Sequence, residues 1–362
     1  MSEKVQQFKC PGCSADLAFS VDKQSLSCPY CGNAIEISQD EYPVILEYPL
    51  ETAREKASRD WGGKTTVIHC DSCGAETVVN ENQLTTECAF CGSIHIRNQS
   101  DEDIIKPETL LPFKIDKKEA MDKFRLWLKK HWLSPNNLKE LARAQKINGV
   151  YIPFWTYDAD THSLYTADRG TYYYVTERVW VTDNNGKRRS EQRQVRKTRW
   201  SSKSGSFRHF FDDVLVCASR TEGKNLIRRL EPFHLNELVP YKNEYLTGFL
   251  AEKYSVGLEQ GFDEAKSIIQ SKLTSMIRNR IVADEVRNLQ IRTSYSQVTF
   301  KHILLPIWMS AYRYKGKVYK FLVNGQTGEV KGEAPISAIK VFLLALLGLI
   351  IVAGILIMFQ NI

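Results

Sequence analysis

The sequence is poor in the residues that do chemistry. Its 362 residues hold seven histidines, and these are scattered. No G-x-S-x-G and no H-E-x-x-H occurs, so the common hydrolase and zinc-protease arrangements are excluded. Gly62-Gly63-Lys64-Thr65 looks like the end of a phosphate-binding loop, but the earlier glycine the loop needs is Ser58. Glycine and proline are ordinary at 20 and 12, which excludes collagen-like and low-complexity chains. The N-terminus, MSEKVQQFKC, lacks the apolar core of a secretory signal. Beyond the first quarter of the chain cysteine is nearly absent: Cys217 stands alone in the apolar run VLVCAS and reads as a buried thiol.

The other eight cysteines are concentrated and ordered. Cys10, Cys13, Cys28 and Cys31 form two C-x-x-C pairs separated by 14 residues, and Cys70, Cys73, Cys88 and Cys91 repeat them at an offset of 60. Ala15 and Ala75 match in that register, as do Gly32 and Gly92. This is an internal duplication. Without export, such pairs are metal ligands rather than disulfides. A tight turn aims two sulfurs at one ion, and a hairpin brings the second turn to the same ion, completing a tetrahedron. The expectation is two structural zinc ions per chain, with an iron–sulfur cluster or a redox dithiol as the alternative. Four thiolates close a site and leave no open position for catalysis, so His69 and His95 read as non-ligands. Metal binding, worth about 10 kcal/mol or more in small fingers, would supply stability that such short apolar segments lack.

One long apolar run exists. Val341–Phe359 is 19 residues without a charge, about 28 Å as a helix, which suggests a single span of a bilayer. Lys340 flanks it on the N-terminal side. The positive-inside rule and the reduced thiols then place the rest of the chain in the cytoplasm, as a tail-anchored, single-pass cell-membrane protein.

Between ribbons and run, the pattern predicts an α+β domain. Asp116–Trp132 is an amphipathic helix capped by Asp116, and Phe262–Val282 is a second one. Val150-Tyr-Ile-Pro-Phe-Trp155 and Ile303-Leu-Leu-Pro-Ile-Trp308 share the pattern of three apolar residues, Pro, apolar, Trp. That suggests duplicated α–β halves with crossed pairing, the prolines lying at strand starts or edges. Tyr319–Val330 is a hairpin, and Glu51–Trp61 a short charged helix. The expected organisation is ribbon 1 over 1–40, a linker with the short helix over 41–64, ribbon 2 over 65–98, the α+β domain over 99–335, the span over 336–359 and a tail over 360–362.

A further hairpin spans 171–200, around Asp183-Asn184-Asn185-Gly186. From Lys187 to Arg208 nine Lys/Arg face one acid, Glu191, a local charge of +8 against +7 for the whole chain. Lys187, Arg188, Arg189, Arg193, Arg196, Lys197 and Arg199 are the candidate anion-binding residues. They would meet an anion, with tethering near an anionic inner leaflet favouring lipid headgroups over nucleic acid, or they form a solvated hairpin whose charges blunt a strand edge. His209 beside Asp212 and Asp213 could form an acid–base pair, but reads as a packing residue.

Taken together, CPGC…CPYCG, YIPFWTYDAD, RWSSKSGSFRHFFDDVLV, LVPYKNEYLTGFLAEKYSVGLEQGF and HILLPIWMSAYRYKGKVYKFLVNGQTGEVKGEAP resemble one family. It comprises bacterial membrane-anchored zinc-ribbon proteins, often labelled transcription-factor-IIB-type or primosomal-protein-N-prime-like. The helicase sense of the second label finds no motif here. The resemblance implies a place beside phage-shock-protein-A-like and SPFH-domain proteins in an envelope-stress complex, and no catalytic residues. The sequence-level reading is a non-enzymatic, tail-anchored adaptor on the cytoplasmic face of the membrane. Its alternative is a nucleic-acid-binding regulator.

Overall fold

The computed structural model describes residues 8–38, 45–53, 65–71, 75–80, 88, 96–99, 105–135, 147–182, 186, 188–220, 224–314 and 317–360. Strands β1 (Ala18–Ser20), β2 (Ser25–Ser27) and β3 (Ala34–Ile35) form a small antiparallel sheet of their own. All other strands join one twelve-stranded sheet. They are β4 (Tyr48–Pro49), β5 (Thr65–Cys70), β6 (Glu76–Asn80), β7 (Ile96–Gln99), β8 (Thr109–Leu110), β9 (Asn148–Thr182), β10 (Arg188–Cys217), β11 (Val239–Pro240), β12 (Leu250–Glu252), β13 (Glu285–Tyr314), β14 (Lys317–Asn324) and β15 (Val330–Gly332). The helices are α1 (Lys117–Lys130), α2 (Lys224–Arg228), α3 (Leu258–Arg280) and α4 (Ala338–Gln360).

The expected α+β class is corrected: among the described residues the chain is mostly β, with 46% strand against 26% helix. Three strands of 30 to 35 residues make the difference, where five or six is usual. Val, Thr, Tyr and Trp recur throughout them, side chains suited to a pleated surface. Alternation cannot reveal such length, because the outer parts of these strands bury neither face fully and alternate only between exposed and half-buried residues.

The two Pro-Trp segments lie side by side. In β9 and β13 they pair antiparallel with Ile152 opposite Leu305, Pro153 opposite Leu304 and Pro306 opposite Tyr151. Around this centre two sets of elements follow the same order. One runs β8, α1, β9, β10, and the other β12, α3, β13, β14. The short strands cross over: β8 runs parallel to β13 at Ile303–Leu304, and β12 runs parallel to β9 at Val150–Tyr151. The return strands follow along the same edges, Ala218 N–H donating to the Pro153 carbonyl and Gly325 N–H to that of Pro306. The prolines are therefore interior to their strands, not at starts or edges. Each lacks an amide hydrogen, and each contributes its carbonyl to a return segment.

Alternation sorts the core. Tyr151, Trp155, Tyr157 and Trp308 face α1 and α3, meeting Phe124 and Leu128 from one helix and Phe262, Ile269 and Leu273 from the other. Val150, Ile152, Phe154, Leu305 and Ile307 face the opposite side, under Leu226 and Ile227 of α2. Asp116 caps α1 as expected, accepting from the Glu119 amide at 2.6 Å. The second predicted helix starts earlier, at Leu258.

The expected membrane span is also corrected. Helix α4 covers the apolar run, but among the described residues no helix is long and apolar enough to cross a membrane. The tail-anchored, single-pass localisation inferred from that span falls with it.

Candidate metal centre and basic arm

Two turns of the first ribbon share one backbone design. Ser14 N–H donates to the Cys10 carbonyl at 2.8 Å, and Gly32 N–H to that of Cys28 at 3.0 Å. Cys10 N–H then reaches the Ala15 carbonyl and Cys28 N–H that of Asn33, each at 2.8 Å. Ser14 and Gly32 both take positive φ, +60° and +74°, at the position where each turn reverses. The result brings four sulfurs together. Cys10 Sγ lies 3.4 Å from Cys31 Sγ, Cys13 Sγ lies 3.4 Å from Cys28 Sγ, and all four fall within 4.8 Å of one another. A tetrahedral ion with metal–sulfur bonds of about 2.3 Å requires sulfurs about 3.8 Å apart, which these spacings bracket. Asn33 Nδ2 points at Cys10 Sγ. Against a desolvation that raises it, the amides of Gly12 and Cys13 hold the Cys10 thiol down at about 6, and the amide of Cys31 lowers Cys28. Against the amides of Ala15 and Asn33, which lower them, hydrogen bonds with the neighbouring cysteines push Cys13 up to about 12 and raise Cys31, so the four thiols share their protons unevenly, with the thiolate favoured at the two inner positions.

The centre is half inside and half out. Cys10 and Cys28 are buried with Leu17 and Leu26, while Cys13 and Cys31 are exposed. Tyr30, between Cys28 and Cys31, is 83% exposed. On the opposite side Phe19 packs against Tyr245 and Phe249, its amide donates to the Thr247 carbonyl at 3.0 Å, and Gln24 Nε2 donates to that of Phe113 at 2.8 Å. The module is docked on the body with its cysteine-bearing turns facing away.

The second ribbon repeats one bond of the first. Cys70 N–H donates to the Ala75 carbonyl at 2.9 Å, the counterpart of Cys10 to Ala15. Lys9 bridges Asp16, and His69 pairs with Glu76, again 60 residues on. The side chains keep the pairing: Lys9 Nζ is 2.6 Å from Asp16, and His69 Nδ1 is 3.5 Å from Glu76. Yet this copy is merged into the body. Strand β6 pairs with β12, and Cys70, Ala75 and Cys88 are buried beside Leu111 and Val150. Cys73, Cys91 and His95 lie outside the described residues, as does most of the expected helix over 51–61.

The basic hairpin is an arm. Strand β13 leaves the β9 edge at Glu285 opposite Gly170. Beyond it β9 and β10 continue alone as a two-stranded ribbon, from Thr171 opposite Arg199 to Thr182 opposite Arg188, about 40 Å long. Of the expected anion-binding residues, Arg188 and Arg196 lie on one face. Arg189, Arg193, Lys197 and Arg199 lie on the other, and Lys187 is outside the described residues. Sequence reasoning missed Arg178, which joins the first face from β9. Pairing register was the signal needed to find it.

A third cluster was not legible beforehand. Lys301 is buried, with Nζ 2.7 Å from Glu47 and 2.8 Å from Asp213. Asp158 accepts from the Asp213 amide at 2.7 Å. Two β-bulges, at Phe211/Val214 and Ser296/Thr299, bring these residues together across β9. Desolvation, then the neighbouring Glu47, pushes Asp158 up to about 7. Burial pulls the Lys301 ammonium down, but Asp213 and Glu47 hold it above its ordinary range. His209 packs edge-on to Phe211, ring centres 4.6 Å apart, as a packing residue does.

A four-cysteine module docked on a long-stranded β body, with a projecting basic arm, defines the class of protein. The chain is 32% identical over 343 residues to the uncharacterized protein YdjG of Bacillus subtilis (strain 168), covering 93% of this chain and 92% of that one. It belongs to the same family as YdjG. No family model and no solved structure matches it.

Proposed function

We propose that the chain is a non-enzymatic adaptor whose first ribbon holds a structural zinc ion in Cys10, Cys13, Cys28 and Cys31 and presents its turns to a partner protein. The observation carrying this reading is the orientation of the centre, with Phe19 anchored in the body and Tyr30 exposed beside the outer cysteines. Four thiolates leave zinc no open position, so the ion shapes a surface rather than activating water. A second zinc would be held by Cys70, Cys73, Cys88 and Cys91. The family resemblance makes SPFH-domain and phage-shock-protein-A-like proteins the first partners to try.

The test is mild cross-linking in cells, purification of the full-length chain and mass spectrometry, with Tyr30→Ala alongside. Tyr30 is not a ligand, so the variant keeps its metal. Loss of defined partner proteins in Tyr30→Ala supports the adaptor reading. Recovery of the same proteins at the same yield, or of none from the wild type, removes it.

A further inference from the structure

The two faces of the arm differ in a way that composition alone hides. Residues directly opposite in an antiparallel pair point to the same side. One face therefore carries Arg196 opposite Tyr174, Gln194 opposite Thr176, Arg178 opposite Gln192, Trp180 opposite Ser190 and Arg188 opposite Thr182. Among the described residues of the arm this face has no acid and no aliphatic side chain. The arm's acids, Glu177 and Glu191, and its valines, Val175, Val179, Val181 and Val195, all fall on the opposite face. There Lys197 is ion-paired with Glu177, and Arg193 lies 3.8 Å from Glu191.

The arginines of the acid-free face are regularly placed. Arg196, Arg178 and Arg188 sit at the β9 levels 174, 178 and 182 and alternate between strands. Four residues of strand are about 13.6 Å, close to four base-pair steps at roughly 3.4 Å. Arg196 lies over the Tyr172 ring at 4.3 Å, and Trp180 is 72% exposed. At the base, the Tyr172 amide donates to Asp284 and its hydroxyl to Glu285, so carboxylates border this face where the arm leaves the body and the acid-free stretch runs outward from there. The turn, Asp183-Asn184-Asn185-Gly186, is polar and offers nothing apolar to insert into a bilayer.

We propose that the arm lies in the major groove of duplex DNA with its acid-free face inward. Arg178, Arg188 and Arg196 meet phosphates and groove edges, and Gln192 and Gln194 reach the base edges. A two-stranded ribbon fits that groove, about 12 Å wide, whereas the A-form groove of duplex RNA is too deep and narrow. This inference is independent of the zinc reading.

The test is fluorescence anisotropy of the full-length, metal-replete protein with a labelled mixed-sequence DNA duplex. The same assay is run with an RNA duplex and with phosphatidylglycerol vesicles. Two variants remove equal charge: Arg178→Gln/Arg188→Gln/Arg196→Gln on one face, and Arg189→Gln/Arg193→Gln/Lys197→Gln on the other. Their melting temperatures, compared with wild type, check that both are folded. The expected result is DNA binding that falls roughly 40-fold between about 50 and about 200 mM salt, as three phosphate contacts would give. The first variant should lose tenfold or more and the second threefold or less. Absence of DNA binding, equal loss in the two variants, tighter binding to RNA, or binding to vesicles alone would each overturn it.

Discussion

Ile152 and Leu305 stand directly opposite each other where β9 and β13 cross, and they hold the same place in the two Pro-Trp segments. On either side the Trp indoles reach equivalent targets. Trp155 Nε1 donates to the Val256 carbonyl at 2.9 Å, and Trp308 Nε1 to that of Ile115 at 2.7 Å. Each acceptor lies just before the first residue of a helix, Leu258 or Lys117. The strand of one half thus fixes the helix entry of the other, and this exchange locks the halves together.

Trp155→Phe and Trp308→Phe should therefore have similar costs. Each keeps most of the ring's packing and leaves a buried carbonyl unpaired, at about 1–3 kcal/mol. Urea unfolding of the two variants checks this. A cost confined to one of them would show that the two contacts are not equivalent.

Gly261 tests the packing between α3 and the sheet. A Cβ there would fall 2.4 Å from the Tyr157 hydroxyl and 2.9 Å from Trp155 Cδ1. Tyr157 cannot simply swing away, because its hydroxyl donates to the Leu258 carbonyl at 2.6 Å. Gly261→Ala should destabilise by about 1–3 kcal/mol through overpacking, although Ala is the better helix former by about 1 kcal/mol. A thermal melt shows which effect wins, and a rise in melting temperature would refute the clash.

Replacing one sulfur should break the first centre. Cys13→Ser is expected to carry one metal equivalent fewer than wild type by elemental analysis. It should also expose the segment around β1–β3 to protease. Unchanged metal content would rule Cys13 out as a ligand.

The buried charge cluster sets a pH dependence. Asp158 faces Glu47 from the segment before β4, Asp213 from β10, and Thr299 and Lys301 from β13. Its folded pKa is raised, so its contribution is fully present below the unfolded value near 4 and is lost as pH rises through about 7. Asp158→Asn should flatten the fall in melting temperature between about pH 4 and 7. His302 acts in the opposite sense. Burial lowers it to about 4, so its contribution is present above about 6.5 and is lost as pH falls toward 4. Melting curves across pH that are identical for wild type and Asp158→Asn would remove the first assignment.

Much of this molecule was legible in the chain itself, for local reasons. Metal chemistry demands sulfur at fixed spacing, so the first two C-x-x-C pairs announce that Cys10, Cys13, Cys28 and Cys31 come together. The 60-residue repeat is equally plain, as are the Asp116 cap and the Pro-Trp pattern. These are short-range signals, set by a turn, a helical period or a duplicated phrase. Strand length, by contrast, was hidden, because a strand that buries neither face fully has only a weak period to read.

Tertiary structure alone decided how the pieces combine. It set one copy of the ribbon apart and merged the other into the sheet, although the bond from Cys10 to Ala15 recurs from Cys70 to Ala75. It moved Glu47, Asp158, Asp213 and Lys301 into one cluster through two bulges that no local signal announces. It also divided a uniformly basic hairpin into two unlike faces. That division depends on register, and a one-residue slip would have exchanged the two faces of one strand. The sequence supplies side chains, and the pairing of distant strands decides which of them look the same way.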